Sequence, residues 1–248
     1  ILIGISKVIM NNLYLKSLIK KLIKSKHVSN IFPESGIVFI HIPKTGGTSL
    51  RKLLVGLEDI NISDSDKKEY YYAEELKRKK ISSIHGKARH YLQFMDKKLW
   101  DKSFKFTSVR NPWDLMVSSY HWWLQNGNQF PRLRQMYADI SIMSFKEYMK
   151  SPYGNSMINE CVGNVEDWIL DKNKNMLLDG LVRLENFEED FNKLTKKFNK
   201  SFNGLNHLTK INVTNHKRYQ EYYDFETQTL VEKRFKFLID RCSYSYDS

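Results

Sequence analysis

The chain has 248 residues, of which 41% are hydrophobic and 13% aromatic; this supplies the core of one sizeable domain and leaves too little length for a second full one. Its 40 lysines and arginines against 28 aspartates and glutamates give a formal charge of +12, which favours an anionic partner: a nucleotide, an acidic glycan, a nucleic acid or a membrane surface. Two cysteines, Cys161 and Cys242, are too few for a disulfide framework and stand at no metal-ligand spacing, so free thiols are expected and no metal site.

The first thirty residues read as a segment of their own. Leu15, Leu18, Ile19, Leu22 and Ile23 fall on one helical face, with Lys16, Lys20 and Lys24 around it, which describes a basic amphipathic helix. Packing on the domain and peripheral contact with a membrane surface both fit that pattern. No span here reaches the ~18 apolar residues of a transmembrane helix. The expected organisation is a basic segment over residues 1–30 and one domain over 31–248.

The run Ile37-Val38-Phe39-Ile40 continues through His41 and Ile42 to Pro43, a buried strand ending at a turn. Lys44, Thr45, Gly46, Gly47, Thr48 and Ser49 follow, and Leu50, Leu53, Leu54 and Leu57 then recur at helical spacing. Strand, glycine turn and helix N-terminus in that order make a place to hold phosphate. The glycines let backbone N–H groups approach an anion, while Lys44 and the Thr48 and Ser49 hydroxyls add side-chain donors. A bare strand-to-helix turn needs none of those donors. A nucleotide-triphosphatase loop would carry its lysine after the last glycine, whereas Lys44 precedes both.

Residues 59–80 are polar and charged, with a surface helix expected from Ala73 to Lys80. Ile81 to Leu92 is expected to be a short strand or loop; it sets His85, Lys87, Arg89 and His90 within six residues. Phe104 to Val109 alternates like a strand, and Arg110-Asn111-Pro112-Trp113-Asp114 opens a helix running through Tyr120. Proline suits the first helical turn, where its missing N–H costs nothing. Arg110 and Ser118 could converge on one phosphate, the arginine as a planar fork and the serine as a hydroxyl, or Arg110 could simply pair with Asp114. Tyr120, His121, Trp122 and Trp123 form an aromatic cluster that fits either a core or a sugar-stacking wall.

Phe145 to Lys150 reads as a short helix ended by a turn at Ser151 to Gly154. Leu181 to Asn186 is a third strand candidate, in which Arg183 and Glu185 could form an ion pair, and Phe187 to Phe198 a helix. His216-Lys217-Arg218-Tyr219 is basic and tyrosine-rich, and Thr229 to Ile239 makes a last amphipathic helix. Three strands each feeding a helix predict an α/β fold, an open parallel sheet with helices on both faces and a ligand site beyond the carboxyl ends of the strands.

Pro43 to Ser49 resembles the 5′-phosphosulfate loop of sulfotransferases that use 3′-phosphoadenosine 5′-phosphosulfate (PAPS), in particular the carbohydrate branch. Val109 to Asp114 with Ser118 resembles the 3′-phosphate signature of the same family. The resemblance covers roughly Ile37 to the C-terminus. It implies a P-loop-like sheet, PAPS as co-substrate without a metal, and a glycan or other hydroxyl-bearing acceptor. Residues 44–49, Arg110 and Ser118 would hold the nucleotide, and Lys217 or Arg218, in a segment similar to the family's late basic stretch, would close over it. His85-Gly86 matches the family's His-Gly segment, which makes His85 the expected base, with His90 as the alternative because Lys87 stands where some relatives have a second histidine.

A small-molecule P-loop kinase is the rival enzyme, disfavoured by the lysine position and the lack of an acidic magnesium ligand. A basic module for nucleic acid or membranes explains the charge but not two phosphate motifs. A cytoplasmic enzyme is expected, with the Golgi lumen as the alternative should an anchor precede Ile1. Sequons at Asn61, Asn199 and Asn212 are expected by chance in an asparagine-rich chain.

Overall fold

Each of the three apolar runs becomes a strand that feeds a helix. The structure, a computed structural model, describes residues 30–32, 35–57, 85–129, 131–155, 164–197 and 215–247. The amphipathic segment 1–29, the helix expected over Ala73–Lys80, residues 81–84, Cys161 and the three sequons lie outside them.

Strand β2 (Ile37–Phe39) leads to helix α1 (Gly47–Leu57), β3 (Phe104–Val109) to α4 (Pro112–Asn126), and β4 (Gly180–Arg183) to α9 (Phe187–Lys197). With β1 at Ile31–Phe32, the sheet order is β1-β2-β3-β4, with β2, β3 and β4 parallel. Strand β1 runs antiparallel to β2, with Ile31 opposite Val38, so the sheet is mostly parallel and not wholly so as expected. Between β2 and β3 stand α2 (Ala88–Phe94) and α3 (Lys97–Lys102). Helices α5 (Arg134–Ser141), α6 (Phe145–Lys150), α7 (Pro152–Asn155) and α8 (Glu166–Ile169) separate α4 from β4. The chain closes with α10 (Phe225–Arg234) and α11 (Lys236–Cys242).

Alternation along the strands sends side chains to two cores, one on each face. Ile37, Phe39, Phe104, Phe106 and Val182 pack with Leu50 and Leu54 of α1 and Phe187 and Phe191 of α9. Val38, Ile40 and Val109 join Ala88, Tyr91, Trp113, Met116 and Val117 in the other core. Helices on both faces explain why all six residues of β3 are buried, although its sequence alternates. Lys105 is accommodated there by polar partners: its Nζ lies 3.2 Å from Asp179, donates to the Ser103 carbonyl at 2.6 Å and sits over the Trp100 ring.

Three local expectations are corrected. Residues 88–94 are helical where a strand or loop was expected, and the His90 ring caps the helix start by accepting the Lys87 N–H at 3.3 Å. The turn expected at Ser151 to Gly154 is largely the short helix α7, entered at Pro152, where proline is pre-set for a first helical turn. The last helix is broken at Phe235 (φ −106°, ψ 20°); the change of axis lets Val231, Phe235 and Leu238 all reach one core.

Helix α4 starts as the sequence implies. The Asn111 side-chain oxygen accepts from the N–H groups of Trp113 (3.0 Å) and Asp114 (3.4 Å), with Pro112 at the first position. Asn111 is itself fixed, since its own N–H donates to Glu185 at 2.7 Å. The β3–α4 junction is thereby tied to the end of β4.

Candidate active site

The loop from Ile40 to Ser49 leaves the carboxyl end of β2 and turns back as α1. Lys44 (φ 67°) and Gly46 (φ 77°) both lie in the left-handed region, which for a lysine costs on the order of 1–3 kcal/mol and is sustained by what surrounds it. Gly47 is also required by space: a Cβ on it would stand 2.0 Å from the buried His41 ring, whereas one on Gly46 would meet the movable tip of Leu184 at 2.6 Å, so that Gly46 is needed for its backbone conformation. The N–H groups of Ser49 and Leu50 reach the Gly46 carbonyl at 3.1 Å and start α1. The first N–H groups of such a helix, those of Gly47 and Thr48, have no intrahelical acceptor. Thr48 is exposed, so its hydroxyl faces outward, and Ser49 is nearly buried.

Thr45 turns inward. Its hydroxyl donates to the Ile42 carbonyl at 2.8 Å and lies 3.0 Å from the Ser108 hydroxyl of β3. That side chain pins the loop to the sheet, leaving the backbone as the part of Thr45 that can meet an anion.

Arg110 brings the two phosphate motifs together. Its Nη1 donates to the Lys44 carbonyl at 3.4 Å, across 66 residues of sequence. Nε and Nη2 both lie 2.7 Å from Asp114 Oδ2. Both roles weighed for this arginine therefore coexist in geometry, because a guanidinium has five N–H donors and the Asp114 pair leaves some for a ligand. Ser118 is buried one helical turn beyond Asp114. One further turn along, half-buried Trp122 places its ring 5.3 Å from the Lys44 ammonium, while its neighbour Trp123 is in the core. The aromatic cluster thus divides between wall and core.

His85 sits in a bend before α2, within the stretch expected as a short strand or loop. A Cβ on Gly86 would meet the Tyr91 ring at 2.8 Å, so this glycine lets Tyr91 pack against the bend. His85 reaches the loop. Its Nδ1 is 3.1 Å from the His41 carbonyl and its ring centroid 4.5 Å from the His41 ring. A carbonyl only accepts, so the contact places a proton on Nδ1, and in the neutral imidazole Nε2 is then the basic nitrogen. The edge of Trp168 lies 6.4 Å away, and Lys87 sits over the same indole.

His90 is differently employed. Its Nδ1 accepts the Lys87 N–H at 3.3 Å, and burial, then Arg89, then Lys87 push its pKa down from 6.5 to about 4.

Sequence reading passed over His41, which is 5% exposed, stacks on Phe39 and packs beneath Gly47. Burial first, then His85 and Arg51, hold its pKa well below the ordinary histidine value. It is a neutral imidazole joining His85 to the glycine turn. The signal available was a polar ring ending an apolar run just before the glycines.

Lys217 and Arg218 are exposed on a strap that crosses α4. Asn215 O accepts from Gln125 at 3.3 Å, the His216 ring stacks on His121 at 5.5 Å, and Tyr223 donates to the Trp113 carbonyl at 2.9 Å. The Lys217 ammonium is 3.6 Å from Glu221. The expected Arg183–Glu185 pair is also corrected. Arg183 forks onto Asp190 with Nε and Nη2 at 2.7 and 2.8 Å, and its backbone N–H reaches the same carboxylate at 3.0 Å. Glu185 accepts instead from Asn111 and from the Tyr244 hydroxyl at 3.0 Å. Asp190, one helical turn into α9, aligns with the arginine fork better than a residue two positions away on the strand.

Lys44, Arg110, a helix N-terminus and the glycine pair Gly46-Gly47 surround one end of the sheet, and their donors suit a nucleotide carrying several phosphates. No curated protein and no solved structure matches the chain. Residues 28–237 match the model of the sulfotransferase family, and with most of its length covered the chain belongs to that family of PAPS-dependent enzymes.

Proposed function

We propose that the chain transfers the sulfuryl group of PAPS to a hydroxyl of a carbohydrate. The observation that carries this reading is the contact between Arg110 and the Lys44 carbonyl, which makes one site of two phosphate motifs. PAPS, when bound, supplies the sulfuryl group and leaves as adenosine 3′,5′-bisphosphate. Lys44 neutralises charge on the departing 5′-phosphate oxygen, and the N–H groups at the start of α1 hold the other 5′ oxygens. Arg110 and Ser118 take the 3′-phosphate, with Lys217 or Arg218 closing from the strap.

His85 Nε2 takes the proton of the acceptor hydroxyl. As the acceptor oxygen forms its bond to sulfur, the bond from sulfur to the 5′-phosphate oxygen breaks and its electron pair stays on that oxygen. The residues do this by position and fixed charge, as in phosphoryl transfer. The +12 charge and the half-exposed Trp122 beside Lys44 support a glycan acceptor, an acidic one included. Incubation with PAPS and a panel of neutral and acidic oligosaccharides tests this; sulfated product is expected, and sulfation of small phenols or alcohols alone would refute the carbohydrate assignment.

We also propose a cytoplasmic location with residues 1–30 touching a membrane surface. Among the described residues no helix is long and apolar enough to cross a membrane. N-linked glycans on the natively expressed protein would overturn that location.

A further inference from the structure

We propose that Trp122 is a positioning residue for Lys44, an inference that rests on the PAPS reading above. Asp114, Ser118 and Trp122 follow one another at intervals of four along α4 and so form one stripe of the helix. Asp114 grips Arg110 at one end of that stripe, and at the other the Lys44 ammonium stands 5.3 Å from the Trp122 ring centroid. That is within the ~6 Å reach of a cation–π contact. The ring is braced in turn by Trp123, which is 3% exposed and meets it edge-on with centroids 4.8 Å apart and planes at 86°.

The two cations are thus held by one helix face in chemically different ways. Arginine has donors to spare and can keep its carboxylate while it binds a phosphate. Lysine presents a compact point charge on a flexible four-carbon stem, so a carboxylate partner would compete directly with the 5′-phosphate. A neutral ring attracts the ammonium and narrows the directions it explores without competing for its charge. Trp122 therefore holds Lys44 at the mouth of the loop and, by keeping its contact when nucleotide binds, keeps the ammonium aimed at the 5′-phosphate.

The test uses release of adenosine 3′,5′-bisphosphate from PAPS with water as acceptor, which requires no knowledge of the glycan. Trp122→Leu should lower kcat by roughly threefold to thirtyfold, the span of a cation–π contact, and Trp122→Phe should recover most of that loss. In a Lys44→Ala background Trp122→Leu should cost nothing further, since the tryptophan acts through the lysine. Titration with adenosine 3′,5′-bisphosphate should change wild-type tryptophan emission, and that change should vanish in Trp122→Phe. This titration alone decides if Trp122→Leu does not fold.

Multiplying losses in the double variant would overturn the proposal, as would equal losses for phenylalanine and leucine or an emission change that survives in Trp122→Phe. A wild-type chain that neither binds adenosine 3′,5′-bisphosphate nor turns over PAPS would remove the donor reading and this proposal with it.

Discussion

On the proposed mechanism Lys44 and Arg110 meet negative charge at different moments. The lysine is needed most as the bridging oxygen departs, so Lys44→Ala should lower kcat by roughly 10²–10³ with a smaller change in nucleotide affinity. A raised Michaelis constant for PAPS with kcat intact would remove that role. Arg110→Ala should weaken adenosine 3′,5′-bisphosphate selectively, by about tenfold to a hundredfold for a charge-assisted pair. Equal weakening of adenosine 5′-phosphosulfate, which lacks the 3′ group, would count against it. His85→Ala should cost about 10²–10⁴ in turnover, whereas His90→Ala should keep most activity and lose about 1 kcal/mol of stability with the helix cap. Reversed turnover losses in these two folded variants would move the base to His90. Lys44, Gly46, Gly47 and Arg110 were legible because their spacing is a motif. His41 was not, since an imidazole after an apolar run reads as core, and consecutive Trp122 and Trp123 can be told apart only by what packs against each.

At the level of elements, the glycine turn is held by what lies beneath it as much as by its own conformational freedom. Gly47→Ala would drive a methyl into the His41 ring and should destabilise the fold by about 1–3 kcal/mol, as overpacking does. In a His41→Ala background the same change should be nearly neutral. Thermal or chemical unfolding of the two singles and the double measures that coupling, and additive losses would show that the ring is not the obstacle. The three strand–helix units were legible because their hydrophobic periods are long enough to read. Strand β1 has two residues and α2 seven, too few to display a period, and helical spacing runs unbroken across Phe235, where tertiary packing bends the chain.

The whole molecule should lose stability in mild acid. His90 is held down to about 4, with burial the largest cause, and His41 and His121 are also lowered, chiefly by burial. Between the ordinary histidine range and those depressed values the unfolded chain binds more protons than the folded one, so stability is present above about pH 6.5 and falls as pH drops toward 4. Unfolding midpoints from pH 7 to 4 measure this, and a flat profile would contradict it. That the site lies at the carboxyl ends of a parallel sheet was legible from the order of elements. The acceptor was not, because the side chains beside Lys44 and His85, such as Trp122 of α4 and Trp168 of α8, come from separate stretches that meet only in the folded chain.

The carboxylate of Asp190 on the backbone N–H of Arg183 has a consequence for the protein in company. Among the described residues β4 is an edge of the four-stranded sheet, and a bare strand edge offers its N–H and carbonyl groups to any other chain that arrives extended. Asp190 occupies one of those positions with a charge. Asp190→Ala should therefore leave a protein that folds when dilute but self-associates as its concentration rises, visible by light scattering well below the concentration at which the parent chain begins to cloud.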